Sequence, residues 1–353
     1  MTRHHKKKTY RVAIIGCGRI ASLLEEDPLR EKPCTHAGAF HAHPKTKIVA
    51  GCDIKPERLK AFGEKWEVTA LYGDYRKMLK RERPDIVSVA AWTEFHSEMV
   101  VEAVKAGVKG IYCEKPVAAN LSQARRMIKA CEEKGVSMVV GHERRWDKRH
   151  QVVRDAIQSG EYGALRSITG YTLSGAWPKL SRKLYGGGPM FHDGTHLVDL
   201  FRFFGGDVKS VTAVEDRPNG KDSVENTVVG IINFKSGARG LVIGGGERKY
   251  FHFELDVQME RARMIVANHT LEMHVAKPSN SFTGFTELEK TKFPDCSGRI
   301  NPFVGGVEDL ITQMETGAKS LSGGRDGLKA LEIILALYRS AGSGGALVKL
   351  PLR

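Results

Sequence analysis

Arg11-Val12-Ala13-Ile14-Ile15-Gly16-Cys17-Gly18-Arg19-Ile20-Ala21 is the stretch on which the fold turns. A β-branched apolar run leads straight into G-x-G-x-x-A, the order strand, tight turn, helix start. Gly16 permits the turn, Gly18 lets backbone N–H groups approach a diphosphate, and Ala21 is small enough for close helix–strand packing. A second apolar run, residues 48–52, ends at Asp53, whose carboxylate suits the ribose of an adenine dinucleotide and repels a 2′-phosphate. Gly16, Cys17, Gly18, Arg19, Ile20, Asp53 and Ile54 are therefore candidate cofactor-binding residues, with NAD the expected cofactor. Lys55 and Arg58 follow closely enough to leave NADP open.

One spacing is unusual. Asp53 lies 32 residues after Ala21 (53 − 21), where about 20 is common. The excess, residues 22–35, is polar and charged, and Thr35-His36 reads as a fresh helix start. The expectation is a surface excursion beside the cofactor mouth, either a cover for the site or an inert loop extension.

Working outward, strand-like runs at 86–91, 110–113 and 136–140 alternate with helical patterns at 56–65, 75–82, 96–106 and 122–134. Strands joined by crossover helices imply a parallel sheet covered on both faces. After residue 165 the rhythm changes to successive strands: 165–173, 208–215, 227–234, 238–243, 251–258, 263–267 and 271–275. Helical patterns fall near 192–204, 304–317 and 328–341, with a last strand at 346–350. The fold expected is α/β: a doubly wound N-terminal Rossmann domain, 1–142, then an α+β domain, 143–353, with a large, mostly antiparallel, open-faced sheet.

Composition narrows the class. Hydrophobic residues at 41% and charged residues at 27% exclude a disordered chain, a collagen and a coiled coil. The apolar runs are far shorter than the roughly 20 residues a membrane helix needs. The basic N-terminus lacks the apolar core of a secretory signal. A soluble cytoplasmic protein with no membrane partner is expected. The net charge of +14 comes from basic residues interspersed with acids, as at Lys80-Arg81-Glu82-Arg83, so it reads as a solvated surface or preference for an anionic substrate, not nucleic acid. None of the six cysteines forms a C-x-x-C, which fits reduced, buried thiols.

Tyr112-Cys113-Glu114-Lys115-Pro116 carries the chemistry. A strand ending at Cys113 sets Glu114 and Lys115 at the carboxyl edge of a parallel sheet, where ligands of such folds sit. A lysine there can donate to a substrate hydroxyl and stabilise a developing alkoxide, and a cis Lys-Pro bond would fix its direction. This motif, the loop at 16–21, residues 85–91 leading to Thr93 and His96, and Gly186-Gly187-Gly188 followed by Gly194-Thr195-His196-Leu197-Val198-Asp199 together resemble the glucose–fructose oxidoreductase / inositol dehydrogenase / MocA family of NAD(P)-dependent oxidoreductases. Residues 322–327 agree, so the resemblance spans about residues 10–352.

The resemblance implies oxidation of a CH–OH group of a sugar or polyol by hydride transfer to nicotinamide, in a homodimer or homotetramer. It implies Thr93, His96, Glu114 and Lys115 at the cofactor, and Lys115 and His196 as catalytic; we read His196 as general base and His192 as a catalytic partner that orients substrate or relays the proton. The family carries an aspartate four residues before the histidine; here His192 stands there and Asp193 is one residue late. On one helix His192 and His196 share a face while Asp193 points about 100° away. Arg145, Trp177 and Lys179 are further substrate-binding candidates, with His192, Asp193 and His196. No metal is expected, since a His192–His196 pair lacks a third ligand. Two alternatives stand: tightly held NAD serving a redox-neutral elimination or glycoside cleavage, and a non-enzymatic NAD(P)-responsive regulator.

Overall fold

The computed structural model describes residues 9–175, 187–218, 220, 222–298 and 300–352. Packing divides the chain into two units, 1–146 with 300–328 and 147–299 with 329–353.

The first unit opens with β1 (Tyr10–Ile15), α1 (His36–Ala42), β2 (Thr46–Cys52), α2 (Pro56–Trp66), β3 (Leu71–Tyr72), α3 (Tyr75–Glu82), β4 (Ile86–Val89), α4 (His96–Lys105), β5 (Gly110–Cys113), α5 (Leu121–Lys134) and β6 (Ser137–Val140). Its strands lie in the order β3-β2-β1-β4-β5-β6, all parallel. Such sheets are covered on both faces, which is why β4 and β5 read as unbroken apolar runs and are buried throughout. Helix boundaries follow local chemistry. Asp74 and Asn120 accept the Arg76 and Gln123 N–H groups at the starts of α3 and α5, and Gly135 ends α5 in the left-handed region. The topological switch falls between the carboxyl ends of β1 and β4, paired at Ile15 and Val89.

The second unit comprises α6 (Lys148–Ser159), β7 (Leu165–Leu173), α7 (Pro189–His192), α8 (Gly194–Gly205), β8 (Val208–Asp216), β9 (Thr227–Phe234), β10 (Arg239–Gly245), β11 (His252–Met259), β12 (Ala262–Ala267), β13 (Leu271–Pro278) and β14 (Thr286–Thr291). After α9 (Pro302–Thr316) and α10 (Gly324–Ala341), it is joined by β15 (Val348–Lys349). Its sheet runs β14-β13-β12-β11-β7-β10-β9-β8-β15, antiparallel except for the β7–β10 pair. Alternation along β10 buries Gly240 and Val242 and leaves Leu241 on the open face. β14, Thr-Glu-Leu-Glu-Lys-Thr, is exposed at every position and has no apolar period to mark it; its pairing with β13 makes it a strand.

A division into two consecutive segments at 142/143 gives way here. Helix α9 turns Val307, Leu310 and Ile311 into one core with Tyr10, Ile86, Tyr112, Val139 and Trp146, and Asp309 accepts the Trp146 Nε1–H at 2.9 Å. Residues 300–328 thus return to the first unit, and α10 is divided between the two units after Leu328.

Candidate functional site

In the first unit, β1 delivers Gly16 to the switch point at φ +89°, and a Cβ there would stand 2.6 Å from the Ala90 carbonyl oxygen. Only glycine satisfies both conditions. The Cys17 N–H donates to Asp53 Oδ2 at 2.8 Å and the Lys55 N–H to Oδ1 at 2.9 Å, so the end of β2 is tied to the glycine turn and the carboxylate is fixed. Arg58 Nη1 lies 3.9 Å from Asp53 Oδ2 and 3.4 Å from the place a Cβ on Gly18 would occupy. A guanidinium therefore overlooks the loop, able to meet a phosphate. Ile54 projects at 86% exposure, and Trp92, at the end of β4, at 61%. Arg19 is exposed and Ile20 half-buried. Burial pushes the Cys17 thiol far up and the Cys52 thiol to about 12, so both stay protonated and inert. This bare turn, with amides, a fixed carboxylate and two exposed apolar side chains nearby, fits an adenine dinucleotide.

The excursion of 22–35 is resolved by two backbone bonds. The His36 N–H donates to Ile20 O at 3.1 Å and the Ala37 N–H to Ala21 O at 2.9 Å. Both span 16 positions (36 − 20, 37 − 21) where an α-helical bond spans 4, so the turn after the glycines docks on the start of α1 across an excess of 12 residues. The same 12 separate the observed Asp53 spacing from the common one (32 − 20). The splice is tied down. Glu25 accepts from the Cys34 N–H and Thr35 Oγ1–H at 3.1 and 2.6 Å, and Thr35 Oγ1 caps α1 by accepting the Gly38 N–H. Lys65 pairs with Glu26, and the Trp66 Nε1–H donates to Ser22 Oγ at 2.8 Å. Lys65 and Trp66 are the last two residues of α2, at its far end from Arg58.

Lys115 follows β5, half-buried, joined to Pro116 by a cis peptide bond. Its N–H donates to Glu114 Oε2 at 3.1 Å, and Glu114 Oε1 lies 2.9 Å from His36 Nε2. His36 is wholly buried, stacks on Tyr112 at 4.6 Å, and has Nδ1 2.7 Å from Ser88 Oγ. Burial alone would raise the Glu114 pKa; the His36 hydrogen bond and the fields of His36, Lys115 and His96 outweigh it and hold the carboxyl below its usual range. His96 is also fully enclosed, with ring nitrogens 3.1 and 3.0 Å from Pro116 O and Ala91 O, and burial lowers its pKa. The side chains of Glu114 and His96, expected at the cofactor, thus turn inward and brace the Lys115 loop. Thr93, 9% exposed, begins the short turn before α4.

Two residues carry signals that sequence reasoning did not use. His36 heads α1 immediately beyond the splice. Glu143 stands in the fields of Arg144, Lys115 and Glu114, and burial raises its pKa despite the two cations. Arg145 is 4% exposed, donates to Leu321 O at 2.5 Å and lies 3.4 Å from Asp326 Oδ1. It holds the returning segment to the first unit.

In the second unit the expected single helix is two. Helix α7 ends at His192 and α8 begins at Gly194, and the His196 N–H bonds Asp193 O three residues back at 3.2 Å. Asp193 itself keeps helical backbone angles (φ −93°, ψ −39°) and its N–H bonds Pro189 O at 2.9 Å, so the path tightens at this residue. His192 and Asp193 are half-buried, and His196 is 9% exposed. Trp177 and Lys179 lie outside the described residues. Among the described residues, no three His, Cys, Asp or Glu side chains are grouped to hold a metal ion.

Comparison with known proteins gives the following. The sequence profile of an oxidoreductase family with an NAD-binding Rossmann fold, GFO/IDH/MocA, matches residues 10–142, and the GFO/IDH/MocA C-terminal domain matches 150–264. D-apiose dehydrogenase of Paraburkholderia graminis is 28% identical over 350 residues, 96% of this chain and 89% of that protein. Myo-inositol 2-dehydrogenase of Thermotoga maritima is 28% identical over 254 residues, 70% of this chain and 72% of that protein. The WlbA dehydrogenase of Bordetella pertussis, solved with NADH and UDP-GlcNAcA, superposes with a TM-score of 0.80 at 22% identity, covering 98% of this chain and 99% of its own.

Proposed function

Because the chain belongs to the GFO/IDH/MocA family of oxidoreductases, we propose that it oxidises a CH–OH group of a sugar or polyol with NAD. The observation that carries this is Lys115 at the carboxyl end of β5, its backbone pinned by a buried Glu114. NAD, when bound, supplies the hydride acceptor. Gly16, Cys17, Gly18, Arg19 and Ile20 would hold the diphosphate, Asp53 the adenosine ribose, Ile54 the adenine, and Thr93 and the Lys115 loop the nicotinamide end. Lys115 Nζ donates to the substrate hydroxyl and steadies its oxygen as the proton leaves. The His196 imidazole takes that proton. His192 orients a neighbouring hydroxyl or relays the proton, and Asp193, with Trp177 and Lys179, completes the substrate contacts. The substrates named for the relatives, apiose and myo-inositol, support a polyhydroxylated ring or short sugar.

A second reading, redox-neutral chemistry on retained NAD, is favoured by one observation: His192 where the resemblance implies aspartate. The exposed Val214, Ile231 and Leu241 support a homodimer or homotetramer closed over the open sheet face. No helix among the described residues is long and apolar enough to cross a membrane, and we place the protein in the cytoplasm without nucleic-acid partners. The test is reduced-nicotinamide absorbance with NAD or NADP against a panel of sugars, inositols, uronic acids and nucleotide sugars. Lys115→Ala is expected to lower kcat by about 100-fold or more with NAD affinity within about twofold. Undiminished turnover overturns the assignment.

A further inference from the structure

Glu225, between β8 and β9, is 1% exposed, and its carboxylate meets three donors. The Gly188 N–H reaches Oε2 at 2.8 Å, and the Met190 N–H and Tyr338 O–H reach Oε1 at 3.0 and 2.6 Å. Gly188 and Met190 flank Pro189, the first residue of α7. Their amides have no partner within so short a helix, Pro189 has no N–H to offer, and no side chain next to the helix caps it. A glutamate distant in sequence therefore performs the capping. It also explains the glycine run: a Cβ on Gly188 would stand 2.4 Å from the Glu225 carbonyl oxygen, and one on Gly187 2.5 Å from Tyr338 Oη. Arg217, hydrogen-bonded to Glu215 at 2.7 Å, is a cation whose field is coupled to Glu225.

The turn so held is a single one, and its last residue is His192. We propose that Glu225 is a positioning residue for the reaction: through the Gly188 and Met190 amides it fixes the direction of the His192 imidazole and the entry of α8, which carries His196. This rests on the dehydrogenase reading above. A carboxylate offers both oxygens as acceptors. An amide offers one oxygen and turns its NH2 toward an N–H, so Glu225→Gln breaks at least one of the backbone bonds.

The experiment combines hydrogen exchange of the full chain with steady-state kinetics on whichever sugar the panel identifies. In Glu225→Gln, amide exchange at residues 188–192 is expected to rise about 10-fold or more while the β-sheet stays protected. Sugar kcat/KM is expected to fall about 10- to 100-fold, in kcat as well as KM, with NADH affinity within about twofold. Tyr338→Phe keeps packing and both backbone bonds, and about a 2- to 5-fold loss is expected; it carries the test should Glu225→Gln fail to fold. Faster exchange with unchanged kinetics, or unchanged exchange, overturns the proposal. A wild-type enzyme inactive on every sugar instead overturns the dehydrogenase reading, and exchange still reports the capping by itself.

Discussion

The two glycine turns of this protein, at Gly16–Gly18 and at Gly187–Gly188, look alike in sequence and are imposed by different neighbours. At Gly16 the close approach is to the backbone of the adjacent strand, at Ala90 O. At Gly187 it is to the Phe191 Cβ and Tyr338 Oη, and at Gly188 to the Glu225 backbone. The first turn sits in a G-x-G-x-x-A motif directly after a strand and is recognisable from contiguous residues. The second is made by tertiary packing around a buried carboxylate, so its purpose is invisible until the structure is known.

Substitution separates the two. Gly16→Ala places a methyl against a carbonyl that cannot move without shifting β4, and in a left-handed conformation. NADH binding, read by fluorescence titration, is expected to weaken about 100-fold or more. Retained affinity would show that the diphosphate sits elsewhere. Gly188→Ala is expected to leave NADH affinity within about twofold and to lower sugar kcat/KM about 10-fold; the reverse pattern would mean that the second turn serves the cofactor.

A parallel contrast holds for the two buried glutamates. Glu114 braces Lys115 and lies against an imidazole, whereas Glu225 braces α7 and meets two backbone amides and a hydroxyl; against the upward pull of burial, the His36 hydrogen bond and nearby cations hold the Glu114 carboxyl below its usual range. The folded state resists its protonation. Its contribution to stability is complete above the ordinary carboxyl value of 4.5 and is lost as pH falls through the lower folded value. His96, held neutral by burial, adds an earlier decline that starts near its ordinary value of 6.5, where the unfolded ring takes a proton and the enclosed ring does not. Urea midpoints followed from neutral to acid pH should fall in wild type, and Glu114→Gln should flatten the more acidic part. An unchanged profile would show that Glu114 is not selectively stabilised as the anion.

The smallest effect belongs to the splice. Joining Ser22 to Thr35 removes 12 residues, 23–34, and restores a continuous helical ladder. Since its α2 anchors, Lys65 and Trp66, lie at the far end of that helix from Arg58, NADH affinity is expected to change by no more than about twofold. A large loss would make the insertion a cover for the cofactor after all.

What the sequence discloses follows the range of the interactions. The strand–turn–helix at 10–21, the Glu-Lys-Pro after β5 and even the length of the insertion are written in contiguous residues or simple spacings. The bond between His36 and Glu114 joins positions 78 apart, and no local pattern announces it. The internal partners of Arg145 and His96, carbonyls and a carboxylate supplied by distant segments, are likewise unreadable from residue type. Helix α9 is recognisable as a helix but not as part of the first unit, since its apolar stripe fits either core. β14 escapes because every side chain it carries is exposed.

The most direct measurement is a crystal structure of the full chain with NADH. The account predicts the diphosphate over Gly16–Gly18, the adenosine ribose on Asp53, and the nicotinamide ring within contact of the Lys115 side chain. Diphosphate density away from that turn, or a nicotinamide remote from Lys115, would contradict it.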